Sequence, residues 1–218
     1  TPLPPEEPAG TNPPDGAIVY FHLPQDAREV ALEVRDAAGR LVRRYHSSDA
    51  PEPVETGSNV PSYWQRPPQI LPTKAGMHRF IWDLHYTKAA GQNAEFPIAA
   101  IYKNTVRTDQ GPWVMPGKYQ VSLVVDGKVS QQSLKVRMDP RVTTSQKDLQ
   151  QQFDLSLQLR DGMNQLHAAS STPERKALHA EMDRLMSLLQ AADNPPTQVT
   201  VKKSQEALKK MAAILGSK

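Results

Sequence analysis

Proline decides most about what this chain can fold into. Thirteen of its 20 prolines fall within residues 1–72, while the last 75 residues carry only Pro173, Pro195 and Pro196. A proline fixes φ and donates no backbone hydrogen bond, so the N-terminal part is hostile to helix and the C-terminal third is open to it. The change of character falls near Met138-Asp139-Pro140-Arg141. The reading that follows is a linker over 1–16, a β domain over 17–140 and a helical domain over 141–218.

Within the β region the signals are local. Asn12-Pro13-Pro14-Asp15-Gly16 is turn chemistry ahead of the apolar run 17–23, which Pro24 closes. Val30, Leu32 and Val34 alternate with Ala31, Glu33 and Arg35, the period of a strand. Asp36-Ala37-Ala38-Gly39 then offers a tight turn into a second strand over 40–46. Residues 47–75 form a long proline-rich loop that contains Tyr63 and Trp64. Alternation resumes at Gly76, with His78, Phe80, Trp82, Leu84 and Tyr86 on one face and Met77, Arg79, Ile81, Asp83 and His85 on the other. A short edge strand is expected over 96–102. Asp126-Gly127 predicts a type I′ hairpin between strands over 118–125 and 129–138. Six or seven such strands predict an antiparallel β-sandwich of immunoglobulin or fibronectin type.

After residue 141 the apolar period becomes helical. Leu149, Phe153, Leu157, Met163 and Leu166 mark one stripe, and Ser145 with Asp148 resembles a capping arrangement. Thr172-Pro173-Glu174 places a cap, a proline and an acid at the start of a second helix with Leu178, Met182, Leu185 and Leu189 on its face. Asn194-Pro195-Pro196 ends it, and a third stretch follows over about 200–215. The overall expectation is an α+β chain, a sandwich followed by a helical hairpin or three-helix bundle.

Composition closes off several chemistries. With no cysteine there is no disulfide scaffold, thiolate nucleophile or Cys-ligated zinc. A net charge of +3 with both signs interspersed does not indicate a nucleic-acid partner. No run of 18 or more apolar residues is present to span a membrane. The chain begins at Thr1 without a methionine or signal peptide, which reads as a processed chain or a domain cut from a longer one. Metal-binding histidine motifs, a Gly-x-Ser-x-Gly elbow and glycine-rich phosphate loops are missing, so neither a cofactor nor a catalytic residue is assigned.

Three features remain as candidates. Asp83 and His85, with Arg79, either form a small acid/base cluster on one strand face or an inert polar surface. Acids such as Asp83, Glu95, Asp109 and Asp126 would serve an autonomous glycoside hydrolase if two faced each other in a cleft, a pairing that spacing alone does not supply. Trp64 and Trp113 lie in loops, where flat aromatic faces either stack on sugar rings or pin their own loops down, while Trp82 belongs to a core-facing strand. The methionine-bearing helical stripes suit either a bundle core or an adaptable partner surface.

Two stretches carry a family resemblance when taken together. Gly76-Met77-His78-Arg79-Phe80-Ile81-Trp82-Asp83-Leu84-His85-Tyr86 resembles a G-M-x-R-F-x-W-D-L-x-Y strand. Gly111-Pro112-Trp113-Val114-Met115-Pro116-Gly117-Lys118-Tyr119-Gln120-Val121 resembles a G-P-x-x-x-P-G-x-Y-x-V turn and strand. With Asn12 to Ala17, Asp139-Pro140-Arg141, Asp148-Leu149-Gln150 and Gln152-Phe153, the order is similar to the C-terminal region of large secreted bacterial BNR-repeat, sortilin-like glycosyl hydrolases. The resemblance implies a β-propeller ahead of this region, in which the family's activity resides, and export to the periplasm or the extracellular space. The propeller's Ser-x-Asp-x-Gly-x-x-Trp boxes do not occur here, so no catalytic residue carries over. The expected role is a non-catalytic accessory region packing against that propeller, with a carbohydrate-binding module using Trp64 and Trp113 as the alternative.

Overall fold

A computed structural model describes residues 13–56, 60–97 and 101–216. The fold is α+β, and the described residues form six strands in two antiparallel sheets followed by three helices. The strands are β1 (Ala17–Leu23), β2 (Val30–Asp36), β3 (Leu41–His46), β4 (Gly76–Trp82), β5 (Gly117–Val125) and β6 (Lys128–Val136). β1 pairs with β4, and the second sheet runs β3-β2-β5-β6. Two compact units emerge from the contacts. The first holds the chain up to Leu84, Ala94–Asp109 and Tyr119–Leu134; the second holds His85–Asn93, Gln110–Lys118 and Lys135–Lys218.

In the first unit, alternation places Phe21, Leu23, Phe80 and Trp82 on the buried side of the two-stranded sheet. There Phe80 meets Tyr45 of β3 edge-on at 4.7 Å, and Trp82 meets Tyr119 of β5 at 5.6 Å. Trp82 is fully buried. A side chain of that size contributes on the order of 4–6 kcal/mol gross, before the entropy of ordering it. Burial, and then the Asp83 carboxylate, push the Tyr45 phenol above the ordinary tyrosine range.

The hairpins are built by their turn residues. Asp126 and Gly127 both have positive φ, 48° and 82°, as a type I′ turn requires. Asp126 Oδ1 also accepts the Arg28 and Glu29 amides at 2.9 and 3.0 Å, tying the turn to the start of β2. Between β2 and β3, Asp36 accepts from the Ala38 and Arg40 amides and from Arg40 Nε, while Gly39 takes φ 79°. Burial pushes this carboxyl up, but those donors outweigh it and hold it below the usual carboxylate range.

Two strand expectations need correction. β4 stops at Trp82 instead of running to Tyr86, because Leu84 turns into the left-handed region at φ 61° and the alternation is lost. The edge strand expected over 96–102 is not formed at Phe96, Pro97, Ile101 or Tyr102, and residues 98–100 lie outside the described residues. Thr105 explains part of this: its hydroxyl bonds the Ile101 amide and carbonyl, both at 2.8 Å, which curls the backbone into a turn.

The second unit is dominated by α1 (Gln146–Ala168), α2 (Pro173–Gln190) and α3 (Gln198–Gly216), each in contact with the other two. The caps are those the sequence announces. Ser145 Oγ accepts the Asp148 amide at 3.1 Å, and Thr172 Oγ1 accepts the Arg175 amide at 3.2 Å. α2 ends at Gln190, short of the prolines. Leu159, Met163, Met182, Leu185 and Met186 are buried together, so these methionines are core. Gly162 permits the close approach, since a Cβ there would stand 2.5 Å from Met182 Cε.

Candidate functional site

Two aromatic sites stand out, one in each unit. In the second unit, Tyr86 donates its amide to the Pro112 carbonyl at 2.9 Å, and His85 and Trp113 form an antiparallel bridge. Gly111 has to be glycine at this crossing: a Cβ would fall inside the contact radius of the Tyr86 carbonyl oxygen and 2.7 Å from its carbon. The two motifs quoted above therefore meet in space, the end of the first against the start of the second.

That crossing stacks the buried His85 ring on Trp113, with centroids 3.7 Å apart. Trp113 stays 46% exposed, so one part of the indole is held while another faces solvent. A relay fixes its backbone: Trp113 N–H donates to Gln190 Oε1, Gln190 Nε2 to Ser156 Oγ, and Ser156 to the Gln152 carbonyl, at 2.7, 2.7 and 2.8 Å. Gln152 in turn donates to the Leu189 and Ala192 carbonyls, so its buried amide is satisfied. Beside the ring lies a cavity of about 30 Å³ lined by Met115, Met138, Leu149, Phe153 and Asp193 among others, room for a water or two. Just after Met138 in the chain, Arg141 forks onto Asp139, and those hydrogen bonds hold the Asp139 carboxyl down at about 2.

In the first unit, two long loops are laced together around Trp64. A short 3-10 turn (Ser62–Trp64) leads into a parallel bridge between Gln65 and Thr105, with Thr105 N–H bonding the Trp64 carbonyl and Arg66 N–H the Thr105 carbonyl. The buried Gln65 amide clasps both backbone groups of Glu55 at 3.0 and 2.8 Å. Trp64, half-buried, meets Tyr102 edge-on at 6.0 Å, and Lys103 Nζ sits 5.3 Å over the Tyr102 ring. Tyr63, 64% exposed, flanks them.

The comparison with known proteins adds no relative. No family model, curated protein or solved structure matches this chain. What the site residues do has to be read from their chemistry.

Arg79, Asp83 and His85, weighed as either an acid/base cluster or an inert polar face, do not share a strand face, because β4 ends before the last two and His85 is buried in its stack on Trp113. Two of the carboxylates weighed for hydrolysis are engaged elsewhere. Asp126 serves the hairpin turn, and Asp109 is buried in a bidentate pair with Arg107, whose third nitrogen reaches Glu55 at 3.1 Å. Trp64 belongs to the first unit and Trp113 to the second. Spacing had no way to indicate the Trp113–His85 stack or the Trp113–Gln190 bond, which join residues 28 and 77 positions apart.

No group of three or more metal-ligating side chains occurs among the described residues, and no described helix is long and apolar enough to cross a membrane.

Proposed function

We propose that this chain is a non-catalytic accessory region of a larger exported protein of the BNR-repeat, sortilin-like type, whose β unit docks on the preceding propeller. One observation carries the reading. The outer face of β1 and β4 presents Ile18 across from Ile81, Tyr20 across from Arg79, and Met77 across from His22. Tyr20 and Met77 are 63% and 68% exposed. Neighbouring exposed apolar side chains on one sheet face are the kind of surface that packs against another domain.

The strand order supports the immunoglobulin-like part of the proposal. Assigning the six strands in sequence to B, C, C′, E, F and G makes the β1-β4 sheet B-E and the other C′-C-F-G, the arrangement of such sandwiches. Tyr119, buried near the start of β5, takes the place of the tyrosine at the E–F corner. The buried tryptophan differs, standing on β4 instead of the C strand.

Hydrogen exchange on the isolated chain and on the longer polypeptide tests the docking. Amides of β1 and β4 should gain protection in the longer form, and Tyr20→Glu with Met77→Glu should abolish the gain without unfolding the isolated chain. Equal protection in both forms sinks the proposal.

A second reading, carbohydrate binding, draws on the 46% exposure of Trp113 over a fixed base. Glycan-array binding lost in Trp113→Ala would favour it; an array without signal would remove it.

A further inference from the structure

The sheet formed by β1 and β4 has two edges, and they are finished differently. At the β4 edge the Gln69 side chain stands in for a strand: its Oε1 accepts the Ile81 amide at 2.9 Å and its Nε2 donates to the Ile81 carbonyl at 3.0 Å. Those two groups of Ile81 therefore point away from β1, so Ile18 and Ile81 face each other without exchanging hydrogen bonds. Antiparallel pairs alternate, and Tyr20–Arg79 and His22–Met77 are of the same kind. The amides and carbonyls of Ile18, Tyr20 and His22 accordingly point out of the free edge of β1. No hydrogen bond from another described residue meets them there.

Free strand edges are commonly blocked by charge or by proline. The outer strands of the other sheet follow that rule, β3 with Arg43 and Arg44 and β6 with Lys128 and Lys135. β1 reads Ala-Ile-Val-Tyr-Phe-His-Leu and holds no Lys, Arg, Asp, Glu or Pro. Its inward side chains are also unequal. Phe21 and Leu23 are buried, whereas Ala17 and Val19 are only half-buried, although Trp82 and Phe80 opposite them on β4 are buried. The core thins toward the free edge at one end of the strand.

A second copy of β1 answers both features in a single register. Run antiparallel about a twofold axis at Tyr20, it sets Ile18 opposite the partner's His22 and Tyr20 opposite the partner's Tyr20. Every free amide and carbonyl of these three residues then finds a partner. The same register lays the partner's Phe21 beside Val19 and the partner's Leu23 beside Ala17, large side chains against the two half-buried ones. We propose that this chain pairs with itself through the β1 edges, joining the sheets of two copies in the order β4-β1-β1-β4. The edge is separate from the outer face of β1 and β4, which stays open on both copies, so this inference stands or falls independently of the docking reading.

Sedimentation of the full chain from low micromolar to submillimolar concentration, with amide exchange followed residue by residue, tests it. A seven-residue edge is a small interface, so a monomer–dimer equilibrium with a Kd on the order of 10–100 μM is expected. The Ile18, Tyr20 and His22 amides should slow as dimer accumulates, while Val19 and Phe21, bonded to β4 at every concentration, should not change. Tyr20→Pro removes a free donor without touching a bond to β4, and should weaken association about tenfold, the worth of the two hydrogen bonds lost across the axis. Ile18→Lys keeps the backbone donors but places a cation on each side of the axis, and should weaken it as well. A chain that stays monomeric throughout overturns the proposal, as does a dimer in which those three amides exchange as fast as in the monomer. Protection already complete at the lowest concentration also overturns it, by assigning the edge to the chain itself; protection gained only in the longer polypeptide does so by assigning it to another domain.

Discussion

Gly111→Ala is the sharpest perturbation of this architecture. The new Cβ would lie 2.7 Å from the Tyr86 carbonyl carbon and nearer still to its oxygen, where ordinary contact begins at 3.4 Å, so the two backbones have to part by at least about 0.7 Å. Both opposing groups are main chain, and neither can rotate away. That movement stretches the 2.9 Å hydrogen bond from Tyr86 N–H to Pro112 well past useful length. The lost bond costs about 1 kcal/mol, and forced repacking about 1–3. Against this, alanine's smaller unfolded-state entropy returns roughly 0.4–1 kcal/mol. The net expectation is a loss of about 2–3 kcal/mol, or a fall of about 1–1.5 M in the urea midpoint if the slope is about 2 kcal/mol/M. Exchange at the Tyr86 amide should accelerate first. Gly117→Ala is the control: its Cβ would meet nothing nearer than Met115 O at 4.0 Å, so a change within about 0.5 kcal/mol is expected. Equal midpoints for the two variants would refute the reasoning.

Other outcomes follow from the same geometry. Leu159→Ala, at a fully buried position of the helical core, should cost about 2–5 kcal/mol in thermal or urea unfolding, whereas exposed Leu188→Ala should cost under about 0.5. Arg107→Gln takes the guanidinium from buried Asp109 and should cost about 3 kcal/mol, part of which Arg107→Gln with Asp109→Asn restores; an undisturbed single variant would argue against the pair's role. The Asp139 carboxyl should titrate at about 2 by carbon NMR and move back toward 3.8 in Arg141→Gln. Because its folded value is depressed, its stabilising contribution is complete above 3.8 and fades as pH falls through about 2; a midpoint that ignores Arg141 would discount the ion pair.

Legibility tracked the range of the physics. Ser145, Thr172 and Pro173 mark helix starts through groups no more than three residues away, and the caps stand where they were expected. Asp126-Gly127 works the same way, since two left-handed residues are all the turn requires. The end of β4 was not legible: Met77 to Tyr86 keep a strand's alternation, and only the backbone turn at Leu84 interrupts it. The candidate sites were half legible. Trp64 and Trp113 were conspicuous in their loops, but their bases, Tyr102 and His85, come from 38 and 28 positions away along the sequence.

The sequence alone determined that a proline-rich β region gives way to helices near residue 140, where the helices begin, and which turns close the hairpins. Each of these depends on φ restrictions and hydrogen bonds among near neighbours, which composition and spacing report directly. Tertiary structure alone decided that residues 85–93 and 110–118 group with the helices, that His85 lies beneath Trp113, and that Gly111 is held by a passing carbonyl. Those outcomes are contacts between distant segments, selected by burial and close packing across the whole unit.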